Sequence, residues 1–145
     1  MMSSGSHAWL VWALLSALFA ALTAIFAKVG VEGINSDLAT LFRTIVIGVV
    51  LAVLLAATGK LGSAAGIAPR TWLFLVLSGL ATGASWLCYF RALKVGEAAR
   101  VAPIDKLSVV LVAIIGVTFL GEHLSASGWA GIALIAAGAA CVALG

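Results

Sequence analysis

The sequence predicts an all-α integral membrane protein with five transmembrane helices. Hydrophobic residues make up 64% of its 145 residues and charged residues 9%, far below the roughly one-quarter charged content of soluble domains. The apolar residues gather in charge-free runs instead of alternating with polar ones, which indicates that lipid surrounds the chain. We expect one transmembrane domain over residues 1–145, with helices at approximately residues 8–28, 38–58, 70–90, 103–120 and 125–145.

The first apolar run begins at Ala8 and ends at Lys28. At 1.5 Å per residue, a helix of this length crosses about 30 Å of hydrocarbon. The run is too long for the apolar core of a signal peptide, and no Lys or Arg precedes it. We therefore expect a spanning helix.

Glycine, proline and serine mark the ends of the later helices. The segment 59–69 holds glycines and a proline, so it is expected to be a loop. Pro103 suits the first position of helix four, and Gly121 suits its C-terminal stop. Ser125 or Ser127 is expected to cap the last helix.

Charge and motif content exclude several classes of function. The net charge is +3, but the eight basic residues are spread singly and form no basic stripe, so we expect no nucleic-acid partner. The sequence shows no Ser-His-acid set and no spacing typical of metal ligands. We therefore expect no enzyme, no cofactor and no metal. Cys88 and Cys141 lie inside apolar runs and are expected to be small core residues.

The basic residues also bear on orientation. They are more numerous at the links after helices one and three than at the link after helix two, which favours an external N-terminus and a cytoplasmic C-terminus. We expect the inner (plasma) membrane of a prokaryote.

Two helices carry mixed stripes of hydroxyl and aromatic side chains at helical spacing. Such stripes suit the wall of a cavity for an amphipathic or cationic organic solute. Alternatively, the hydroxyls bond their own helix carbonyls and the aromatic rings form ordinary packing or interfacial belts. The candidate pathway residues are Trp12, Ser16, Phe19 and Thr23 in helix one, and Ser78, Thr82, Ser85, Trp86 and Tyr89 in helix three.

Two basic residues near helix starts are further pathway candidates. Arg43, with Thr40 on a neighbouring turn, is expected to face a ligand, to snorkel or to pair with Asp37. Lys106, beside Ser108, is placed in the first turn of helix four, where a cation opposes the helix dipole. It is therefore expected to reach headgroups, an acid or a ligand.

Glycines provide candidates for close helix packing. Gly79 and Gly83 form a GxxxG motif in helix three, and Gly131, Gly138 and Gly145 recur every seven residues in helix five. These residues pack either within one chain or between two chains. Helix five is the better candidate for dimerisation because it carries almost nothing polar.

Several segments in order resemble an EamA domain of the drug/metabolite transporter superfamily. They are residues 24–30, 38–43, 89–96, 101–103, 119–122 and 128–138. The resemblance implies a transporter of metabolites or drugs, often an exporter, with its pathway on helices one to four and a structural role for Gly121 and Glu122. Helix one lacks the glutamate typical of the related small multidrug resistance proteins, which argues against their type of proton antiport.

Most members of this superfamily fuse two such five-helix repeats in inverted topology, whereas this sequence has one repeat. The resemblance therefore implies a homodimer in the lipid bilayer that moves a small-molecule substrate. The alternative is a non-transporting accessory subunit, or a lipid-handling protein, that needs a different partner chain.

Overall fold

The computed structural model describes residues 8–64 and 66–145. This part of the chain is helical and contains no strand. The helices are α1 (Ala8–Val31), α2 (Ser36–Ala57), α3 (Pro69–Val95), α4 (Ala98–Asp105), α5 (Ser108–Phe119) and α6 (Ala126–Leu144), with a short 3-10 helix at Lys60–Ala64.

Five segments in the described ranges are long and apolar enough to cross a membrane. Four are single helices, and the fourth along the chain, Ala98–Phe119, consists of α4 and α5. The predicted class, an all-α membrane protein with five spans, is confirmed. The described residues fall into two compact units, one formed by the chain before Ile25 and after Lys94 and the other by Ile25–Lys94.

The unit Ile25–Lys94 is packed where the end of α1, the start of α2 and the end of α3 meet. Val31 and Leu93 are fully buried there, and Phe90, Ala27 and Ala39 are buried nearly as well. In lipid, van der Waals packing and hydrogen bonds between helices stabilise such contacts, because exclusion of water contributes little there. Elsewhere the large apolar side chains of the spans are mostly exposed, as lipid-facing side chains are.

Two helices extend beyond the residues where the sequence suggested that they end. α1 continues past Lys28 to Val31, and α3 continues past residue 90 to Val95. A charge inside a helix does not end it when the side chain finds a polar partner. The Lys28 ammonium donates to the Leu93 carbonyl at 2.8 Å.

The fourth span begins before the expected proline. Glu97 is extended and its carbonyl accepts from the Val101 amide at 2.9 Å, so α4 starts at Ala98. Pro103 therefore lies inside α4, and its placement at the first helical position was wrong. A proline here has no N–H to donate to the Ala99 carbonyl four residues before it, so α4 lacks one hydrogen bond on the N-terminal side of Pro103.

A tightened turn separates α4 from α5. The Leu107 amide donates to the Ile104 carbonyl and the Val109 amide to the Lys106 carbonyl, both at 3.0 Å. Such bonds from residue i to i−3 are tighter than those of an α-helix and often accompany a kink. The fourth span is therefore interrupted at Lys106–Leu107 and is not one regular helix.

The predicted stop and start around α5 and α6 are both present. Gly121 adopts a φ of +68°, a conformation that glycine reaches without steric cost, and α5 ends just before it. The Ser125 hydroxyl accepts from the Gly128 amide at 3.2 Å and caps α6. Cys88 and Cys141 are free and exposed, so their assignment to the core was wrong, because an apolar residue in lipid has no need to face inward.

Candidate functional site

An ion pair joins the start of α2 to the end of α3. The Arg91 Nε donates to Asp37 Oδ1 at 3.0 Å, and its Nη2 donates to Asp37 Oδ2 at 2.8 Å. Such two-point contacts between arginine and a carboxylate are both strong and directional. Both oxygens of Asp37 are engaged by Arg91, so the expected alternative of an Arg43–Asp37 pair is not formed.

Lysine contacts with backbone carbonyls connect the same helix ends. The Lys94 ammonium donates to the Ile34 carbonyl in the link between α1 and α2 at 2.6 Å. The Lys28 ammonium reaches the Leu93 carbonyl near the end of α3. In the sequence these lysines bear only on orientation, and their partners were missed because carbonyl acceptors leave no signal in a sequence.

Arg43 and Trp86, predicted separately, are brought together inside the spans. The Arg43 guanidinium lies 4.1 Å from the centre of the Trp86 ring and 5.4 Å from that of Phe90. A cation over an aromatic face is stabilised by the ring quadrupole, most strongly by tryptophan. Phe90 was not among the predicted residues.

The position of the Arg43 charge argues against snorkelling. Arg43 lies about 9 Å further along α2 than Asp37, and Trp86 lies about 8 Å further from the end of α3 than Arg91. A snorkelling arginine extends back toward the level of the Asp37–Arg91 pair. The guanidinium instead lies over the Trp86 ring, with the Phe90 ring further away, so the charge lies beside aromatic rings within the spans.

Some predicted hydroxyls bond their own helix. The Thr40 hydroxyl donates to the Ser36 carbonyl and the Thr82 hydroxyl to the Ser78 carbonyl, both at 2.9 Å. Their oxygens can still accept a hydrogen bond from another group. Thr40 is buried, whereas Ser78 and Ser85 are exposed on α3.

The predicted stripe on α1 lies largely on exposed surface. Trp12 and Phe19 are strongly exposed, Ser16 is exposed and Thr23 is half-buried. In a membrane protein, such a surface faces either lipid or another protein surface. This stripe stays a prediction.

Lys106 has a different environment from the one that the sequence suggested. It is the C-cap of α4, where a cation complements the dipole, and it directly precedes Leu107, the N-cap of α5. Its placement inside the first turn of a helix was therefore wrong. Its ammonium contacts the Asp105 carboxylate at 3.1 Å, which is the expected alternative of an acid partner, and Ser108 begins α5. The reason is the proline: Pro103 lies in the helix before Lys106 instead of starting the helix around it.

The predicted packing glycines are open on the side where a side chain would project. A Cβ added at Gly79, Gly83, Gly131 or Gly138 would have no atom of the described chain within 4 Å beyond its own helix neighbourhood. At Gly145 it would lie 3.3 Å from the Cys141 carbonyl oxygen. Within their own units, the first four glycines therefore have open space among the described residues.

Fold and site together define an α-helical integral membrane protein with polar and charged groups built into its spans. Residues 7–144 match the EamA-like transporter family. A Sinorhizobium protein described as an uncharacterized transporter in the cobO 3′ region is 66% identical over 139 residues, which cover 96% of this chain and 99% of that relative. No solved structure matches the chain.

The chain belongs to the EamA-like transporter family and is a membrane transporter. This confirms the resemblance found in the sequence. Transport, not catalysis, is the activity to which family and relative point.

Proposed function

We propose that this transporter exports small organic metabolites or drugs and works as a homodimer of five-helix repeats. The observation that carries the proposal is the Arg43–Trp86 contact inside the spans. A charge at that depth is costly, so charged residues within spans commonly serve a solute or ion pathway. An aromatic ring beside the charge supplies the apolar surface that an organic solute needs.

The homodimer is supported by the extent of the repeat and by the surface of its helices. The match with the Sinorhizobium relative, which is described as an uncharacterized transporter, covers 99% of that relative, and the described part of this chain holds five candidate spans. In the most apolar stretch of each described span, at most 11% of the residues are buried within the chain. Transporters of this general kind build their site between two repeats, and a second copy supplies the missing one.

The glycines of α6 provide a test of the dimer. Leucine at both Gly131 and Gly138 is expected to prevent dimer formation, because the added side chains would separate two closely packed backbones. Within the chain both positions are open, so the fold should survive. The measurement is the dimer fraction by single-molecule photobleaching in liposomes, together with solute efflux from the same vesicles.

The matched control is Gly48→Leu in α2, which is equally open but is not a proposed contact. It should remain dimeric. If the double variant dimerises and transports like the unmodified protein, α6 is not the dimer interface.

We propose that the chain lies in the inner membrane of a prokaryote with its N-terminus outside and its C-terminus in the cytoplasm. Lys28, Arg91 and Lys94 lie at the ends of α1 and α3, on the side of the first and third links. Positive residues near short links favour the cytoplasm. Both subunits then share one orientation, which implies a parallel dimer.

Single cysteines report this orientation in a Cys88→Ala, Cys141→Ala background. A membrane-impermeant maleimide added to intact cells is expected to label Lys60→Cys and to leave Glu97→Cys unlabelled. Equal labelling of both variants would indicate insertion in two orientations and an inverted dimer. Labelling of Glu97→Cys alone would reverse the proposed topology.

A further inference from the structure

We infer that Arg43 binds an oxyanion, a carboxylate or phosphate group, and that the transported solute is therefore an organic anion. The inference rests on the proposed transport function and names the class of its substrate. It follows from three features of Arg43: its lack of a carboxylate partner, its depth and its covering of the Trp86 ring.

Within the described part of the chain, no acidic side chain forms an ion pair with Arg43. The pairs Arg91–Asp37, Arg100–Glu97 and Lys106–Asp105 do not include it. Asp37 is the acid closest to Arg43 in sequence, and Arg91 engages both of its oxygens. Charges in a span are usually paired, so an unpaired arginine there calls for an anion from outside the chain.

The contacts of Arg43 leave it suited to that anion. Its partners Trp86 and Phe90 interact with the guanidinium through their rings and accept no directed hydrogen bond from it. The N–H donors of arginine form a planar fork that matches the two oxygens of a carboxylate or phosphate. A guanidinium held over a ring is also partly fixed in place, which lowers the entropic cost of binding.

The same geometry disfavours a cationic solute, which the aromatic stripes alone had suggested. The Trp86 ring already interacts with the chain's own cation at 4.1 Å. A second cation would be repelled by Arg43 in a medium of low dielectric. An aromatic or aliphatic anion would instead bind its charge to Arg43 and its apolar part to nearby rings.

An oxyanion can come from a solute or from a lipid headgroup, and a binding experiment on the full chain in nanodiscs distinguishes them. The probes are phenyl phosphate, neutral benzamide and cationic benzylamine, which share one aromatic ring. In phosphatidylcholine discs we expect phenyl phosphate to bind most tightly by isothermal titration calorimetry. Arg43→Gln should weaken its binding by about tenfold or more, since a hydrogen-bonded charge is removed.

Two variants complete the comparison. Arg43→Lys keeps the charge but loses the fork, so it should bind phenyl phosphate with intermediate affinity. Arg70→Gln is the matched control, because Arg70 also lies over a ring, that of Phe74 at 5.9 Å, but at the start of α3. It should bind like the unmodified protein. If Arg43→Gln does not fold, the affinity of the lysine variant and the ranking of the three probes still test whether Arg43 binds an oxyanion.

Equal binding of phenyl phosphate by Arg43→Gln, or tighter binding of benzylamine, would overturn the inference. Binding of a lipid headgroup alone would also overturn it. In that case phosphatidylglycerol would associate through Arg43, but phenyl phosphate would not bind in discs that lack phosphatidylglycerol. A failure of the proposed transport function can be distinguished from a failure of the oxyanion site. A protein that binds phenyl phosphate through Arg43 but moves no solute in liposomes would refute the proposed function and leave the oxyanion site standing.

Discussion

Shortening Leu93 to alanine is expected to lower the free energy of unfolding by about 2 kcal/mol. The Leu93 side chain has 0% exposure and packs where α1, α2 and α3 meet. Truncation of buried leucines in soluble proteins costs about 2–5 kcal/mol. The lower end applies here because lipid, not water, surrounds the separated helices, so the loss comes from packing contacts alone. The measurement is unfolding by SDS titration or steric trapping.

Leu80→Ala is the matched control because Leu80 lies on the same helix and is 67% exposed. We expect its effect to stay within about 0.5 kcal/mol. The backbone carbonyl of Leu93 still accepts from Lys28 in the alanine variant, so the experiment isolates the side chain. Equal effects at both positions would mean that the three helix ends are not packed as described.

Replacing Trp86 by alanine is expected to reduce transport roughly tenfold. The ring holds the Arg43 guanidinium at 4.1 Å, and a cation–π contact of this kind is worth about 0.5–2 kcal/mol. Its removal lets the guanidinium move toward the membrane edge and also removes apolar surface from the proposed pathway. The measurement is the initial rate of solute efflux from liposomes over a range of internal concentrations.

Trp72→Ala provides the comparison for a tryptophan near the start of the same helix. Trp72 is 52% exposed and is not a proposed pathway residue. Its variant should transport at nearly the unmodified rate, and Trp86→Phe should retain more activity than Trp86→Ala because a ring remains. Full activity in Trp86→Ala would remove Trp86 from the pathway.

The spans were predictable because hydrocarbon imposes a simple requirement on sequence. A run of about 20 uncharged residues crosses it. Gly121 follows the end of α5 and Ser125 caps the start of α6, as their chemistry favours. The start of the fourth span was harder to predict. A proline is common at a helix start and also tolerated inside a spanning helix, so Pro103 alone could not distinguish the two, and the environment of Lys106 was misjudged as a result.

The site was predictable only residue by residue. Arg43 and Trp86 stand out in the sequence because a charge and a large ring interrupt aliphatic spans, but their pairing depends on the register between α2 and α3. That register brings Asp37 to Arg91 and so leaves Arg43 without its nearest acid. Contacts with carbonyls, such as those of Lys28 and Lys94, depend on backbone positions that no side-chain pattern encodes.

Transport by the purified chain alone tests the central claim most directly. The protein is reconstituted into liposomes loaded with a panel of organic acids, amines, amino acids and nucleobases, and efflux is followed against protein-free vesicles. We expect at least one organic solute to leave faster than from protein-free vesicles, at a rate that Trp86→Ala reduces. Folded, dimeric protein that moves no solute of the panel would contradict a self-sufficient transporter and favour a subunit that needs another chain.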